Sequence, residues 1–370
     1  MSLLKAVGLM SGTSLDGVDV ALIDTDGEAV VRFGPTGYRP YSEAEQRLLR
    51  DALADGASLK ERGQRPGVLE KAEAFITKIH AEVVQEFLRS HQIMPADVAI
   101  VGFHGQTVLH KPETRLTVQI GDGAELAKML GIAVAHDFRA ADVAAGGQGA
   151  PVASAFHQAI ARSLDRPGPL AVLNLGGVAN VTYVEEGRDP VACDTGPGNA
   201  LIDDFMRTHT GKSLDRDGDQ AAKGQADESF VAHILEHPFF AAPHPKSLDR
   251  NDFAFANVGL PTFSVEDGAA TLVLLTAASV ACIVPHLPSR PASWIVAGGG
   301  AHNPTLVKML REKLAPASVE TAGAVGWSVD ALEAQAFAYL AVRTLKGLPI
   351  TFPGTTGVKR PMAGGVVAKP

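Results

Sequence analysis

The 370-residue chain is long enough for two domains, because a single hydrophobic core rarely grows beyond about 250 to 300 residues. Its content of 46% hydrophobic and 20% charged residues is that of a folded globular protein and argues against a disordered or low-complexity chain. The net charge of −8 includes no block of like charges, which favours a small ligand over nucleic acid or an anionic membrane.

Cysteine content and the first residues bear on the compartment. Cys193 and Cys282 are too few for a disulfide framework, and no paired spacing of Cys and His indicates zinc. The opening MSLLKAVGLM lacks the long apolar core of a secretory signal. We therefore expect a protein of the reducing cytoplasm.

The first half of the chain alternates predicted strands and helices. LKAVGLM and VDVALID are predicted strands on either side of the turn SGTSLDG, so the chain opens on a glycine-turned β-hairpin. A helix over residues 68–90, a buried strand VAIVGFHG, a helix ELAKMLG ended by Gly131 and a strand IAVAHDF follow. This alternation predicts an α/β fold.

The second half repeats the plan. LAVLNLGG and VTYV form a second predicted hairpin about 165 residues after the first. PVACDTGPGN, the helix ALIDDFMRTHTG, a long apolar helix, the strand WIVAGGG and the helix PTLVKMLREKL come next. We place a first lobe at residues 1–168 and a second at 169–370, with the tail 351–370 as a candidate to pack on the first lobe.

The apolar segment at residues 268–287 carries no charge and is nearly long enough to span a bilayer. Hydroxyl residues interrupt it, Pro285 ends it, and no flanking belt of Trp, Tyr and Arg supports insertion. The pattern favours a buried helix over a membrane contact.

Glycine-containing turns stand at four predicted strand ends. Glycine tolerates positive φ and lets the backbone approach a ligand, and bare N–H groups in such turns favour anions. Either each glycine only shapes its turn or the turns together form a phosphate cradle. The turns are SGTSLDG (11–17), NLGGVAN (174–180), DTGPGN (194–199) and AGGGAHN (297–303).

Side chains beside the first turn favour the cradle. Ser11, Thr13 and Ser14 offer hydroxyl donors to phosphate oxygens. Asp16 and Asp19 could hold Mg²⁺, which takes one or two carboxylates together with phosphates. Asp19 alternates with valines, so it could equally be an ordinary strand-edge residue.

Familiar nucleotide and metal signatures are absent. THTGKS ends like a P-loop but has Met206 where the first glycine is required, and GGQGAPV has Val152 at the last glycine of G-x-G-x-x-G. DRDGDQ opens like a calcium loop but has Gln220 at its sixth position and Ala226 at its twelfth. The hypothesis that remains is a phosphate-binding hairpin turn that occurs twice in the chain.

Nine segments carry a resemblance that runs essentially from end to end. The chain resembles the anhydro-N-acetylmuramic acid kinase family, which belongs to the actin, hexokinase and Hsp70 superfamily. The resemblance implies two related α/β lobes of the actin-like ATPase (ribonuclease H-like) type with an interlobe ATP cleft, and a homodimer. The segments are GLMSGTSLDGVDVALID, FHGQT, HDFRAADVAAGGQGAP, LNLGGVANVT, CDTGPGNALID, KSLDRNDF, AGGGAHN, DALEAQAFAYLA and FPGTTGVKRPMAGG.

The implied reaction belongs to peptidoglycan recycling. In 1,6-anhydro-N-acetylmuramic acid, O6 is tied to C1, so the sugar has no free 6-hydroxyl to phosphorylate. Water must add at C1 while O6 takes the γ-phosphoryl group of ATP, giving N-acetylmuramic acid 6-phosphate and ADP, with Mg²⁺ as the usual ion. Two alternatives stay open: a superfamily kinase for a sugar or carboxylate with a free acceptor group, and an ATP-driven switch or chaperone.

The coupled reaction needs a carboxylate that accepts a proton from water near the anomeric carbon. Asp194, at the end of strand PVAC and before Gly196 and Gly198, matches the aspartate that the family uses as base. An unperturbed aspartate is ionised at pH 7, as a base must be. The alternative is a helix-capping aspartate.

The resemblance also implies nucleotide and sugar contacts. Arg139 would bind the lactyl carboxylate, Asp142 the sugar hydroxyls, and Glu333 would lie near the anhydro bridge; without the family, Arg139 and Asp142 would suggest a local ion pair. His104 is expected to be structural or a wall of the sugar site. Asn303 is also expected to cap the helix that follows. The predicted nucleotide residues are Gly12, Thr13, Ser14, Leu15, Asp16, Gly17, Val18, Asp19, Gly196, Gly198, Asn199, Gly299, Gly300 and Asn303.

Overall fold

Two compact units make up the chain in the computed structural model, which describes residues 3–12, 14–29, 31–248, 253 and 262–370. Met1–Ser163 and Glu333–Pro370 form the first unit, and Leu164–Leu332 forms the second. The predicted boundary after residue 168 lies close to the first division. The chain returns to the first unit at Glu333, ahead of the 351–370 tail for which this return was considered.

The first unit contains strands and helices from both ends of the chain. Helix α2 and the end of α3 at Gly131, whose φ is 65°, confirm two sequence predictions. In chain order the elements before the second unit are β1 (Leu4–Met10), β2 (Gly17–Thr25), β3 (Val31–Pro40), α1 (Glu43–Gly56), α2 (Leu69–Ser90), β4 (Ile100–Phe103), β5 (Gln106–Lys111), β6 (Leu116–Ile120), α3 (Gly123–Leu130), β7 (Val134–His136), α4 (Ala140–Ala144) and α5 (Ser154–Arg162).

The second unit follows, and the chain then returns to the first. The elements of the second unit are β8 (Leu170–Leu175), β9 (Val178–Val184), β10 (Val191–Pro197), α6 (Ala200–Thr210), α7 (Glu228–Leu235), α8 (Pro238–Ala241), α9 (Val265–Cys282), β11 (Ser293–Ala297), α10 (Pro304–Leu314) and β12 (Ser318–Thr321). The returning elements are α11 (Leu332–Leu345), α12 (Pro353–Thr356) and β13 (Val366–Ala368).

The two main sheets share one topology. The first has the order β13-β7-β4-β1-β2-β3 and the second the order β10-β9-β8-β11-β12. In each, three strands run antiparallel as a meander, and two further strands add in parallel to the first strand of that meander. The internal repeat predicted from the two glycine-turned hairpins is therefore confirmed, and β13 is an addition to the first sheet, antiparallel to β7.

Helix α9 is the long apolar helix of the sequence. By length and composition Val265–His286 is sufficient to cross a membrane, but 72% of its apolar window is buried inside the structure. Its side chains pack in the core of the second unit with those of α6, α10 and the sheet. The prediction of a buried helix is confirmed, since a helix that is apolar all round suits the core of a large unit.

Two glycines let helix α11 lie directly on the first sheet. Gly8 of β1 and Gly102 of β4 are partners in adjacent parallel strands. A Cβ at Gly8 would lie 1.9 Å from Ala334 O, and one at Gly102 would lie 2.1 Å from Phe337 O. Any side chain at either position would push the helix away, so these glycines allow α11 to lie this close to the sheet.

Candidate active site

The first hairpin turn, residues 11–16, is fixed from its buried side. Ser11 is fully buried and its Oγ donates to Gln106 Oε1 (2.8 Å), while Gln106 Nε2 donates to Gly12 O (3.2 Å). The Tyr41 hydroxyl lies 2.9 Å from Ser11 Oγ, and burial raises the pKa of Tyr41. The expectation that Ser11 offers its hydroxyl to phosphate is therefore corrected, because this hydroxyl supports the turn.

The outer side of this turn carries polar side chains. Ser14 is exposed and its Oγ donates to Asp16 Oδ1 (2.8 Å). Burial, followed by the charges of Asp16 and Asp19, raises the pKa of Tyr38. Asp19 pairs with Tyr38 across β2 and β3, so these two side chains lie on the same face of the sheet. Thr13, the other predicted hydroxyl donor, falls outside the described residues.

The remaining predicted residues of this hairpin have buried side chains or are glycines, so any contact they make with a nucleotide would come from their backbone. Leu15, at a φ of 57°, and Val18 bury their side chains in the core of the first unit. A Cβ at Gly17 would lie 2.6 Å from the Tyr38 ring, whereas Gly12 has no neighbour closer than 3.5 Å to such an atom. Gly12 is thus the glycine of this turn with space for another group to approach.

Asp194 lies at an irregular position near the end of β10. Its carboxylate is 8% exposed, and its Oδ2 accepts the Leu248 N–H at 2.7 Å. The pairing of β10 with β9 shifts between Asp194 and Gly196, which makes Thr195 an extra residue in the strand. Such a bulge turns the strand end locally and re-aims its side chains. Asp194 lies within β10, ahead of the residue that begins α6, so the sequence alternative of a helix cap is not what the structure shows.

Glycine turns of the second unit meet around Asn199. Asn199 Nδ2 donates to Leu175 O at the end of β8 (3.1 Å). A Cβ at Gly299 would lie 3.4 Å from Asn199 Nδ2, and one at Gly300 would lie 3.1 Å from its Oδ1. The strands β8, β10 and β11 run in one direction and end here. This edge of the sheet therefore holds the predicted residues Gly196, Gly198, Asn199, Gly299, Gly300 and Asn303.

The second hairpin turn braces the start of α6. The N–H groups of Gly198 and Ala200 donate to Gly177 O (3.0 and 3.3 Å), and that of Asn199 donates to Gly176 O (2.8 Å). A Cβ at Gly198 would lie 2.2 Å from Gly176 O. These three N–H groups are therefore used inside the unit, so this turn does not repeat the exposed arrangement of the first hairpin.

Asn303 caps α10 as the sequence predicted. Its Oδ1 accepts the Leu306 N–H at 3.0 Å, and Pro304 occupies the first turn of the helix. Asn303 is 9% exposed. Capping thus accounts for one hydrogen bond of the Asn303 side-chain oxygen. A contact of Asn303 with nucleotide stays a prediction.

Arg139, Asp142 and His104 hold the glycine-rich loop of the first unit. Arg139 Nη1 donates to Gly149 O (2.7 Å) and Nη2 donates to His104 Nε2 (3.2 Å). Burial, then the positive charge of Arg139, lowers the pKa of His104 to about 3, so this imidazole is neutral and can accept that bond. Asp142, 2% exposed, accepts the Gly149 N–H (2.7 Å) and the Thr356 hydroxyl (2.6 Å).

These contacts give Arg139 and Asp142 different surroundings. Asp142 uses both carboxylate oxygens to join the loop to the C-terminal segment, and a sugar contact for it stays a prediction. Arg139 is half-buried, its guanidinium is oriented by the two bonds given above, and its contact with the lactyl carboxylate stays a prediction. Glu333 lies in the first turn of α11, the helix that packs against Gly8 and Gly102, and its side chain is exposed.

The sequence model of the family described as anhydro-N-acetylmuramic acid kinase matches residues 4–370. This chain belongs to that family. Relatives that carry this name include one from Rhodopseudomonas palustris (strain BisB18), 61% identical over 99% of this chain and 100% of its own length. Another, from Nitrobacter winogradskyi, is 60% identical over the full length of both chains.

The fold is shared with a distant solved structure. The (R)-2-hydroxyglutaryl-CoA dehydratase component A of Acidaminococcus fermentans matches with a TM-score of 0.50 at 12% identity, over 93% of this chain and 99% of that one. At that identity the likeness concerns the fold alone. The predicted fold class, two related α/β lobes of the actin-like ATPase type, is confirmed.

Sequence reasoning missed the residues that surround Asp194. Leu248, whose N–H binds the carboxylate, and Lys246, whose carbonyl accepts the Asp194 N–H, both belong to the segment KSLDRNDF. That segment was recognised among the family motifs but was given no role. These contacts join residues more than 50 positions apart, and no local pattern encodes them.

Proposed function

We propose that the protein is an ATP-dependent kinase that hydrolytically opens 1,6-anhydro-N-acetylmuramic acid and phosphorylates O6. The products are N-acetylmuramic acid 6-phosphate and ADP, in the recycling of cell-wall peptidoglycan. The observation that carries the proposal is a match over residues 4–370 to the family of that name, in a chain whose Asp194 is a buried carboxylate of β10 that accepts the Leu248 N–H.

Asp194 acts as the base. Water that attacks C1 must lose a proton, and a carboxylate within hydrogen-bond reach takes it as the C1–O6 bond breaks. The Leu248 N–H fixes one carboxylate oxygen of Asp194 at 2.7 Å, which restricts the rotation of the group. A base that is already oriented loses less entropy on reaching the transition state.

O6 becomes the nucleophile that receives the γ-phosphoryl group. As C1–O6 breaks, the electron pair stays on O6, and O6 attacks the phosphorus atom while ADP leaves. The hydrolysis and the phosphorylation are thereby one coupled event, since neither an alcohol at C6 nor a separate proton acceptor for it is needed. Phosphoryl transfer of this type depends mainly on positioning and on charge stabilisation.

The first hairpin turn and the glycine edge of the second sheet supply the ATP contacts. Asp16, exposed on the turn, and Asp19, near the start of β2, fit Mg²⁺ by their chemistry, because Mg²⁺ needs only one or two carboxylates together with phosphate oxygens. When bound, the ion would neutralise charge on the phosphoryl oxygens. Gly12 leaves space for a phosphate to approach the backbone.

Arg139 recognises the lactyl carboxylate of the sugar. Its guanidinium is oriented by bonds to Gly149 O and to neutral His104, and a planar guanidinium suits recognition of a carboxylate. Glu333 is placed near the anhydro bridge, where its carboxylate orients the sugar. Asp142 holds the loop whose Gly149 O accepts a hydrogen bond from Arg139.

Location and assembly complete the proposal. We place the protein in the cytoplasm as a homodimer, with the small anhydrosugar as its partner and with neither nucleic acid nor membrane. Sedimentation at micromolar concentration tests the dimer, and cell fractionation tests the location.

Turnover in ¹⁸O-water tests the reaction. Purified protein is incubated with ATP, Mg²⁺ and 1,6-anhydro-N-acetylmuramic acid, and the sugar product is read by mass spectrometry before its anomeric oxygen exchanges. A 6-phosphate with one ¹⁸O at C1 is expected, and the Asp194→Asn variant is the control. Absence of this product, together with turnover of a sugar that has a free 6-hydroxyl, would replace the substrate and keep the kinase.

A further inference from the structure

A buried lysine lies beside Asp194. Lys246 is 9% exposed, and its Nζ donates to Phe239 O at 2.8 Å. The same ammonium lies 4.3 Å from the centre of the Phe239 ring, a distance that allows a cation–π interaction. Two contacts with one residue of α8 therefore anchor this side chain.

The backbone around Lys246 holds Asp194 on two sides. Lys246 O accepts the Asp194 N–H at 3.0 Å, and the Leu248 N–H donates to Asp194 Oδ2 at 2.7 Å. The segment 246–248 thus binds both the peptide group and the carboxylate of Asp194. Lys246 therefore anchors one end of this segment on α8, while Leu248 packs against the core of the second unit at the other end.

The charge of Lys246 also acts on Asp194. Burial lowers the pKa of this lysine, while interactions with Cys193, Cys282 and Asp194 act in the opposite direction. Burial raises the pKa of Cys193 to about 12 and raises that of Cys282, so both thiols are neutral near pH 7. Of these three neighbours, Asp194 is therefore the one that offers an anionic charge to the ammonium.

We propose that Lys246 is a positioning residue for Asp194: its side chain anchors the segment 246–248 that orients the carboxylate, and its ammonium supplies positive charge near it. The inference rests on the proposed function, in which Asp194 takes a proton from water. An oriented but protonated carboxylate could not do so, and an ionised but mobile one would do so slowly.

Two substitutions separate anchoring and charge from simple packing. Lys246→Met keeps much of the aliphatic stem and removes the ammonium, while Lys246→Arg keeps a positive charge. In Lys246→Met we expect kcat with the anhydrosugar to fall about 10- to 100-fold, as misplacement of a reacting group does. The KM for ATP should change less than about twofold, because ATP is bound by other turns. Lys246→Arg should recover most of kcat.

The pH dependence of kcat tests the effect of the Lys246 charge on Asp194. Without the ammonium, protonation of the Asp194 carboxylate becomes easier, so the acid limb of kcat should move to higher pH in Lys246→Met and stay in place in Lys246→Arg. A Lys246→Met enzyme with a parental kcat would overturn the proposal. So would a lower kcat with an unmoved acid limb, because that result indicates packing alone.

Hydrogen exchange tests, without any substrate, whether Lys246 anchors the segment 246–248. The amide protons of Asp194 and Leu248 should exchange faster in Lys246→Met than in the parent or in Lys246→Arg, since their bonds depend on the segment 246–248. Equal exchange in all three proteins would contradict the anchoring. If exchange rises as expected but the parent does not turn over the anhydrosugar, the proposed function fails while the anchoring of Asp194 stands.

Discussion

The two glycine-turned hairpins occupy the same place in two sheets of the same topology, yet they are used differently. In the first unit the connection spans residues 11–16, and Ser14 and Asp16 stand exposed on it. In the second unit Gly176 and Gly177 connect the strands, and their carbonyls accept N–H groups from the start of α6.

This difference shows how a repeated element can diverge through the length of one turn. A longer turn, supported by Ser11 on its buried side, leaves the side chains of Ser14 and Asp16 exposed, and this is where we propose that phosphate binds. A two-residue turn without side chains fits against a helix terminus and holds the loop that carries Gly196, Gly198 and Asn199 in place. We therefore expect changes in the first hairpin to affect ATP binding and changes in the second to affect stability and chemistry.

The largest expected effect comes from Asp194→Asn. Loss of a general base typically costs about 10² to 10⁴ in rate, or roughly 3 to 5 kcal/mol of barrier. The matched change in the first hairpin, Asp16→Asn, should instead raise the KM for ATP and leave kcat within about tenfold. Steady-state kinetics with both substrates measures this. Turnover of Asp194→Asn within about threefold of the parent would exclude it as the base.

Acid should destabilise the first unit before the second. Burial lowers the pKa of His80 to about 4, of His104 to about 3 and of His157 to about 4, against 6.5 ordinarily. Each is neutral in the fold and takes up a proton on unfolding, so this stability is complete above pH 6.5 and is lost as pH falls toward 4. The described histidines of the second unit are exposed or half-buried: His209, His233, His237, His244, His286 and His302.

The two tryptophans provide the measurement for this acid effect. Trp294 and Trp327 both lie in the second unit, so their fluorescence reports that unit while circular dichroism reports both. Circular dichroism should change first as the pH is lowered in mild urea. His80→Gln removes one buried titrating group, so it should reduce the difference in pH between the circular dichroism change and the fluorescence change. A fluorescence change that precedes the loss of helical signal would contradict the assignment to the first unit.

Gly198→Ala and Gly12→Ala compare the hairpins directly. A Cβ at Gly198 would lie 2.2 Å from Gly176 O, and the strain of overpacking should lower the free energy of unfolding by about 1 to 3 kcal/mol. At Gly12 the nearest atom is 3.5 Å away, so stability should change by less than about 0.5 kcal/mol. Urea titration followed by fluorescence and circular dichroism tests both. Equal destabilisation would mean that both turns are structural braces.

The smallest expected effect is that of Ser14→Ala. The hydroxyl of Ser14 is exposed and binds only Asp16 among the contacts described above, so stability should stay within about 0.5 kcal/mol. Loss of one hydrogen bond to phosphate should cost about 1 kcal/mol, roughly fivefold in the KM for ATP. An unchanged KM would place the phosphates away from this side chain.

Much of the fold follows from local signals in the sequence. Hydrophobic periodicity predicts α2 and α9, glycine at Gly131 ends α3, and both hairpins are visible from their turns. The packing of α11 on the first sheet is not visible in this way. It depends on Gly8 and Gly102 meeting a helix far along the chain, and each glycine alone reads as an ordinary strand residue.

The candidate site divides along the same line. The Asn303 cap is confirmed, because an Asn-Pro helix start is a local pattern. A local pattern, a carboxylate shortly before two glycines, also points to Asp194, and its role as the base stays a prediction. The burial of Ser11 and the binding of Asp194 by Leu248 depend on tertiary contacts. Polar residues in a glycine turn can point either to a ligand or into the protein, and only the packing decides which.

The discontinuous first unit has a consequence for synthesis of the protein on the ribosome. Leu164–Leu332 is one continuous stretch, whereas the first sheet receives α11 and β13 only from Glu333 onward. The second unit can therefore complete its core while Gly8 and Gly102 still lack the helix that covers them. Domains generally fold as units during translation. The first unit therefore begins to be synthesised first but can finish folding only after the second unit. Until α11 covers it, the first sheet of the nascent chain is exposed to aggregation.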